Sequence, residues 1–322
     1  MCYICLNLLQ EMHQNESGRR MRYMTSIRFI DAVARAGSIR KAAAELAITS
    51  TALNRRILAV EEELGAQIFE RLPRGVRLNS AGELFIHHIR NQISDLERVR
   101  AQIADLAGER RGKVSIACSQ ALLPYFLPQQ ISLYRAEHPG VTFGVHLRDR
   151  AAAEAALADH TADIAIVFEP VRMAEFQTLL RVRQPLQAVF NPGHPLAGRG
   201  TVRLRECLEY PVALPTNPYG VRHLLEVALQ NSTLAVDPVI ESDSFEFLRR
   251  YISAEEAITF QIPIGLPDAN TDPSFATAPV DVKDVPAGIL YMGQLRNRTL
   301  PVASAKFAAS VLTVLAGRYD VC

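Results

Sequence analysis

The sequence predicts an α/β protein led by a winged helix-turn-helix and a long linker helix. Three observations carry this. Helical periodicity punctuated by glycines runs from Met24 to about residue 106. A Pro73-Arg74-Gly75 turn separates two short apolar-flanked arms, and from Gly112 onward short β-rich runs alternate with helices. The 322 residues, 48% hydrophobic and 21% charged with Gly 17 and Pro 18 spread along the chain, suffice for two or three domains with real cores and exclude disorder, collagen and coiled-coil rods. No run approaches the roughly 18 consecutive apolar residues of a membrane span. The apolar opening Cys2–Leu9 leads into Gln10, Glu11 and His13 rather than a small-residue cleavage site, so a cytoplasmic protein with no membrane partner is expected. Five scattered cysteines fit a reduced compartment. Cys2-x-x-Cys5 lacks a second pair at zinc spacing, and neither metal nor cofactor is expected.

The formal charge is +1, unevenly distributed. Arg22 to Arg111 holds 15 Lys/Arg against 11 Asp/Glu, net +4, while Gly112 to Cys322 holds 18 against 21, net −3. Residues 1–23 lack periodicity and read as a disordered extension, with later starts available at Met21 and Met24. From Met24, Ile27, Ile30, Val33 and Ala34 share a helix face, and Gly37 stands where a left-handed terminator belongs. Ser38 can cap Ile39–Leu46, whose alanines permit close packing. Thr49 or Ser50 can cap a third helix with Leu53, Ile57, Val60 and Leu64 inward and Gly65 beyond its end. Two short helices joined by a tight turn make a helix-turn-helix.

The outward face of that third helix offers Ser50, Thr51, Asn54, Arg55 and, slightly later, Arg56; with Ser38 these can reach base edges or phosphates of double-stranded DNA. Arg71, Arg74 and Arg77 rim the following turn as a wing would, gripping the backbone. Alone, such charges would read as a solvated face; together with the helix-turn-helix and the positive balance they favour DNA. Ser80 and Glu83 then have capping-box spacing. Phe85, Ile89, Gln92, Leu96, Val99, Ile103 and Leu106 follow at alternating steps of 4 and 3, a heptad seam that predicts a dimer, with Gln92 as its one polar member. Gly108 to Arg111 would form a hinge.

At this point the chain strongly resembles the LysR-type transcriptional regulators. The match is carried by Phe29 to Ala34, Gly37-Ser38, Lys41 to Leu46, Thr49 to Ile57, Glu61 to Gly65, Phe69-Glu70-Arg71 and Leu78 to Gly82. The sequence departs from the family where Ser50 replaces a Gln and Asn54 a Ser, both on the DNA-facing side. The resemblance implies a transcription factor, homodimeric or homotetrameric, whose remaining part is a two-lobed, periplasmic-binding-protein-like effector domain.

The residues past Gly112 agree with that. Val114–Ala117, Val141–Leu147 and Asp163–Phe168 read as strands and Leu123–His138 and Ala151–Ala158 as helices, successive βαβ units with a parallel sheet. Strands near Leu186–Phe190, Val212–Leu214, Val239–Glu241 and Ala257–Gln261 follow, with helices near Val221–Gln230 and Phe245–Ile252, a return through Gly288–Met292 and a last helix, Ala303–Leu315. The expected division is residues 24–79 for the winged helix-turn-helix, 80–111 for the linker helix and hinge, and 112–322 for the effector domain. Within it, lobe one covers 112–186 and 287–322 and lobe two 187–286. A small-molecule effector, an organic acid as the generic expectation, would lie between the lobes at strand ends and helix N-termini. The candidates are Cys118, Ser119, Gln120, Arg148, Arg150, Phe168, Thr216, Asn217 and Ser242, for each of which a cap or loop hydrogen bond is the competing role.

No catalytic residue is expected, since there is no Gly-x-Ser-x-Gly elbow, phosphate-binding glycine loop or His-Glu-x-x-His. His194 reads as part of a turn. The competing class is a two-lobed ligand-binding or enzymatic protein whose first helices only dimerise; the polar face Ser50, Thr51, Asn54, Arg55 argues against it.

Overall fold

The computed structural model describes residues 26–106, 112–171, 173–267 and 272–322. The extension expected at 1–23 and the hinge expected at Gly108–Arg111 lie outside the described residues. The chain divides into two compact units, Met1–Glu97 and Arg98–Cys322.

In the first unit α1 (residues 26–36), α2 (Ile39–Glu45), α3 (Ser50–Leu64) and the first turns of α4 (Ser80–Leu106) enclose Ile27, Ile30, Val33, Ala42, Leu53, Ile57, Ile86 and Ile89. Gly37 and Gly65 end α1 and α3 at φ 60 and 67. The hydroxyl of Ser38 accepts from the Lys41 N–H and that of Thr49 from the Ala52 N–H, so Thr49 rather than Ser50 caps α3. β1 (Phe69–Leu72) and β2 (Gly75–Leu78) form an antiparallel hairpin. Glu61 of α3 holds its start, the carboxylate accepting from the Ile68 and Phe69 N–H groups at 2.8 and 3.2 Å. Its tip is pinned to the α1–α2 turn, where the Val76 N–H donates to the Gly37 carbonyl at 2.9 Å. A Cβ at Gly75, where φ is 137, would sit 2.3 Å from that same oxygen. Buried Asp31 of α1 takes Arg90 of α4 at 2.8 Å and Arg35 at 2.8 Å, fastening α4 to the bundle.

Two local expectations change. Asn79, not a Ser80–Glu83 box, caps α4, its Oδ1 accepting from the Gly82 N–H at 2.8 Å, because Ser80 is already helical. The first members of the expected heptad seam are also internal to this unit. Phe85 and Ile89 belong to the core of this unit, with Ile86 and Ile93, since α4 must first cover the helix-turn-helix. Further along, Val99 and Ile103 are 43% and 61% exposed.

The second unit holds a five-stranded sheet in the order β4 (Val141–Leu147), β3 (Gly112–Cys118), β5 (Ile164–Phe168), β12 (Gly288–Leu295), β6 (Phe176–Gln184). β3 runs parallel to β4 and β5, but β12 enters antiparallel between β5 and β6, so the sheet is mixed rather than parallel throughout. A second sheet pairs β7 (Gln187–Phe190) with β10 (Thr259–Gln261) on one side and β11 (Ala276–Pro279) on the other, and the Val212–Ile258 bridge links it to the parallel pair β8 (Ala213–Pro215) and β9 (Ile240–Ser242). The sequence pattern does not announce β6 and β11. Helices α5 (Phe126–Glu137), α6 (Ala152–Ala158) and α10 (Val302–Arg318) accompany the first sheet, and α7 (Leu204–Cys207), α8 (Gly220–Gln230) and α9 (Phe245–Ala254) the second. Buried Asp163 joins three elements of lobe one, binding Arg298 at 2.8 Å, the Ser304 hydroxyl at 3.0 Å and the Ser115 N–H at 3.0 Å.

Candidate nucleic-acid interface and ligand cleft

Helix α3 buries Leu53, Ile57 and Val60, and the geometry of 100° per residue turns Ser50, Thr51 and Arg55 outward. All three are exposed, and Asn54 is half-buried at the hairpin side of that face. The Arg71 guanidinium donates to Asn54 Oδ1 at 3.0 Å, joining β1 to α3. Arg77 pairs with Glu70 across the hairpin at 2.7 Å, which raises its pKa, first through the hydrogen bond and then through the charge. Arg74 and Arg55 are exposed and have no acidic partner among the described residues. Arg56 departs from the expected grouping, since its guanidinium lies 4.9 Å from the Phe29 ring centroid, on the α1 side of the helix. Ser38 spends its hydroxyl on the α2 cap. Arg40 and Lys41 at the first turn of α2 are exposed cations that sequence reasoning passed over, although their adjacency to the Gly37-Ser38 turn marked them.

In the second unit the expected cleft residues separate into two groups. Ser119, Gln120, Arg148 and Arg150 stand at the carboxyl ends of β3 and β4, and Thr216, Asn217 and Ser242 at those of β8 and β9. These two sides meet. The Gln120 carboxamide donates to the Asp243 carbonyl, and Asp149 of lobe one and Asp243 of lobe two both raise the Tyr219 pKa, after the larger effect of burial. Gln120 Oε1 is buried and has no hydrogen-bond partner among the described residues. The Ser119 hydroxyl accepts from the Phe168 N–H at 2.9 Å. Arg150 donates to the Glu169 carbonyl, and burial lowers its pKa. Glu169 in turn accepts from the Ile289 N–H at 2.6 Å, and Asp149 caps α6 through the Ala151 and Ala152 N–H groups.

Two expected cleft residues are instead wholly internal. Cys118 is buried on the inward face of β3 with Val114 and Ile116, and burial pushes its thiol up to about 12. Phe168 fills the junction of β5, α8 and β12, where a Cβ on Gly220 or Gly288 would stand 2.5 or 2.3 Å from its ring. Thr216 and Asn217 do not begin a helix, because Tyr219 precedes the first residue of α8; Asn217 donates to Glu226 instead. His194 is buried against Phe190 and Tyr210, and its Nδ1 accepts from the Leu196 N–H at 3.1 Å, a turn anchor as its sequence context suggested. A hollow of about 780 Å³ lined by Pro263, Leu266, Phe275 and Arg318 contains none of the expected cleft residues.

Residues 24–83 match the family described as bacterial regulatory helix-turn-helix protein, lysR family, and residues 107–316 the LysR substrate binding domain. Among curated relatives, the RuBisCO operon transcriptional regulator of Allochromatium vinosum is 27% identical over 203 residues, 63% of this chain and 67% of that one. A full-length OxyR point variant from Pseudomonas aeruginosa superposes with TM-score 0.68 at 18% identity, covering 89% of this chain and 94% of that one. CbnR, solved in complex with its target DNA, gives TM-score 0.51 at 18% identity over 89% and 98%. The effector binding domain of QuiR in complex with shikimate gives 0.54 at 15% identity, over 65% and 100%.

Proposed function

The chain belongs to the LysR family of transcriptional regulators, and on that premise we propose that α3 and the β1–β2 hairpin make its DNA contacts while the cleft between the lobes takes a small organic acid. The observation that carries the DNA assignment is the uncovered polar face of α3 beside exposed Arg74, which has no acidic partner among the described residues. In this reading Ser50, Thr51, Asn54 and Arg55 address base edges, and Arg74 and Arg77 address phosphates. A relative of the same fold is solved on its target DNA, which supports it. Two copies, paired along the later turns of α4, would place two such faces on an interrupted inverted repeat.

For the cleft, Arg148 supplies the charge. The nearby carboxylates of Asp149 and Glu169 are held in place by backbone N–H groups and keep their charges, which act on Tyr219 and Arg150 beside it. The orphaned Gln120 Oε1 accepts a hydroxyl once the Gln120–Asp243 contact opens, which favours a hydroxylated acid. The shikimate complex of a relative is in keeping with this. We read the protein as a cytoplasmic regulator without catalytic activity; no helix among the described residues is long and apolar enough to cross a membrane.

The test is direct. Full-length protein should select an inverted repeat from a randomised duplex library, and its affinity should fall with salt by about one unit of log-log slope per phosphate held. Equal binding to scrambled and selected duplexes would sink the DNA assignment. A panel of small carboxylic acids should shift the melting temperature of wild type but not of the Arg148→Ala, Gln120→Ala double variant. An equal shift in both moves the ligand elsewhere.

A further inference from the structure

We propose that Arg71 biases which base Asn54 reads, toward guanine or thymine and away from adenine; this deepens the reading that α3 lies against DNA and rests on it. A guanidinium has donors only, so the Asn54 carboxamide must turn its oxygen to Arg71, and the 3.0 Å Nη2–Oδ1 contact has that sense. Asparagine reads adenine by using both halves of its amide, the oxygen accepting from N6–H and the nitrogen donating to N7. Here Arg71 takes one of the oxygen's two acceptor sites and fixes the direction in which the oxygen faces. With its oxygen turned to Arg71, Asn54 has Nδ2 as the half of the amide left for a base, and this donor best fits edges that offer only acceptors to the major groove, N7 and O6 of guanine or O4 of thymine, while adenine would offer it N7 beside a competing N6–H donor.

The surroundings hold Arg71 in this role. It stands on β1 opposite Val76, and the start of that strand is clamped to α3 by Glu61 through the Ile68 and Phe69 N–H groups. The acid next to it, Glu70, is occupied by Arg77 at 2.7 Å, and Glu61 is occupied by the backbone. Among the described residues Arg71 forms no ion pair with a carboxylate that would draw it off the asparagine oxygen. Arg71 thus acts as a positioning residue, its effect passing through the orientation of Asn54.

The experiment is selection from a randomised duplex library by full-length wild type, Asn54→Ala, Arg71→Met and Arg74→Ala, each read by sequencing. Asn54→Ala identifies the position that Asn54 reads, as the one whose preference it alone erases. At that position wild type should favour guanine or thymine. Arg71→Met frees the amide oxygen and should move the same position toward adenine by roughly tenfold, the size of one good base contact, with other positions unchanged. Arg74→Ala, the control for lost charge, should weaken binding to all sequences without moving any preference. The proposal is overturned if wild type prefers adenine there, or if Arg71→Met only weakens binding uniformly, since Arg71 would then be an ordinary phosphate contact. Failure of wild type to enrich any sequence overturns the DNA assignment itself, and this inference with it.

Discussion

Replacing Gly75 by alanine should loosen the hairpin while leaving the rest of the chain intact. Gly75 has φ 137, a region in which an L-residue is strained by about 1 to 3 kcal/mol. The added methyl would also stand 2.3 Å from the Gly37 carbonyl oxygen, which accepts the Val76 N–H at 2.9 Å. Backbone cannot yield as a flexible side chain would, so relief of the clash breaks that hydrogen bond, worth a further 0.5 to 1.5 kcal/mol or so. The combined cost, about 1.5 to 4.5 kcal/mol, corresponds to a roughly tenfold to two-thousandfold increase in local opening. Hydrogen exchange by mass spectrometry on the full-length protein reads this directly, in peptides covering Phe69–Leu78. Peptides covering β3 serve as the internal control and should not change. If the hairpin of Gly75→Ala exchanges at the wild-type rate, the contact between the two glycine turns does not hold the wing, and the argument fails.

Four further outcomes are expected. Asp163→Asn leaves the Arg298 charge buried without its carboxylate and should destabilise the second unit by about 3 to 5 kcal/mol in urea denaturation. Burial lowers the His194 pKa below its ordinary value. The unfolded chain therefore binds a proton that the folded chain refuses, stability falls as pH drops through about 6.5, and His194→Gln should flatten that part of the profile. The thiols of Cys118 and Cys207, both pushed up to about 12 by burial, should resist iodoacetamide at pH 8 in the native protein while exposed Cys322 is alkylated; native labelling at Cys118 would refute its placement. Leu96→Asp with Ile103→Asp should give monomers in ultracentrifugation, and a double variant that still dimerises through α4 would show the seam to be misassigned.

Features set by neighbouring residues were legible in the sequence; those set by distant ones were not. Gly37, Ser38, Thr49 and Gly65 act within a few residues of themselves, and their roles followed from spacing. The β6 strand reads Phe176 to Gln184 with mostly polar or half-exposed positions, and it exists because β12, over a hundred residues later in the chain, pairs with it. Helical period placed the outer face of α3, but applied with equal strictness it would also have put Arg56 next to the buried stripe, where Phe29 receives it. Alternation along β3 points Cys118 inward with Val114 and Ile116, a signal that its place at the end of the strand obscures. The Arg71–Asn54 and Gln120–Asp243 contacts join residues 17 and 123 positions apart, and nothing local announces them.

The path of the chain through lobe one imposes an order on its synthesis. Gln184 and Gly288 face each other in neighbouring strands, so the chain leaves lobe one and re-enters it at one place. Everything between them can pair within itself as soon as β11 emerges. Lobe one cannot, because β5 and β6 are joined only through β12, which is made last of its five strands. At about 5 to 20 residues per second the ribosome takes on the order of ten seconds to travel from β6 to the end of β12. Throughout that interval Ile164–Phe168, buried along its whole length in the finished molecule, waits with one edge open. A nascent chain stalled inside lobe two would thus carry a nearly complete second lobe and an adhesive first one.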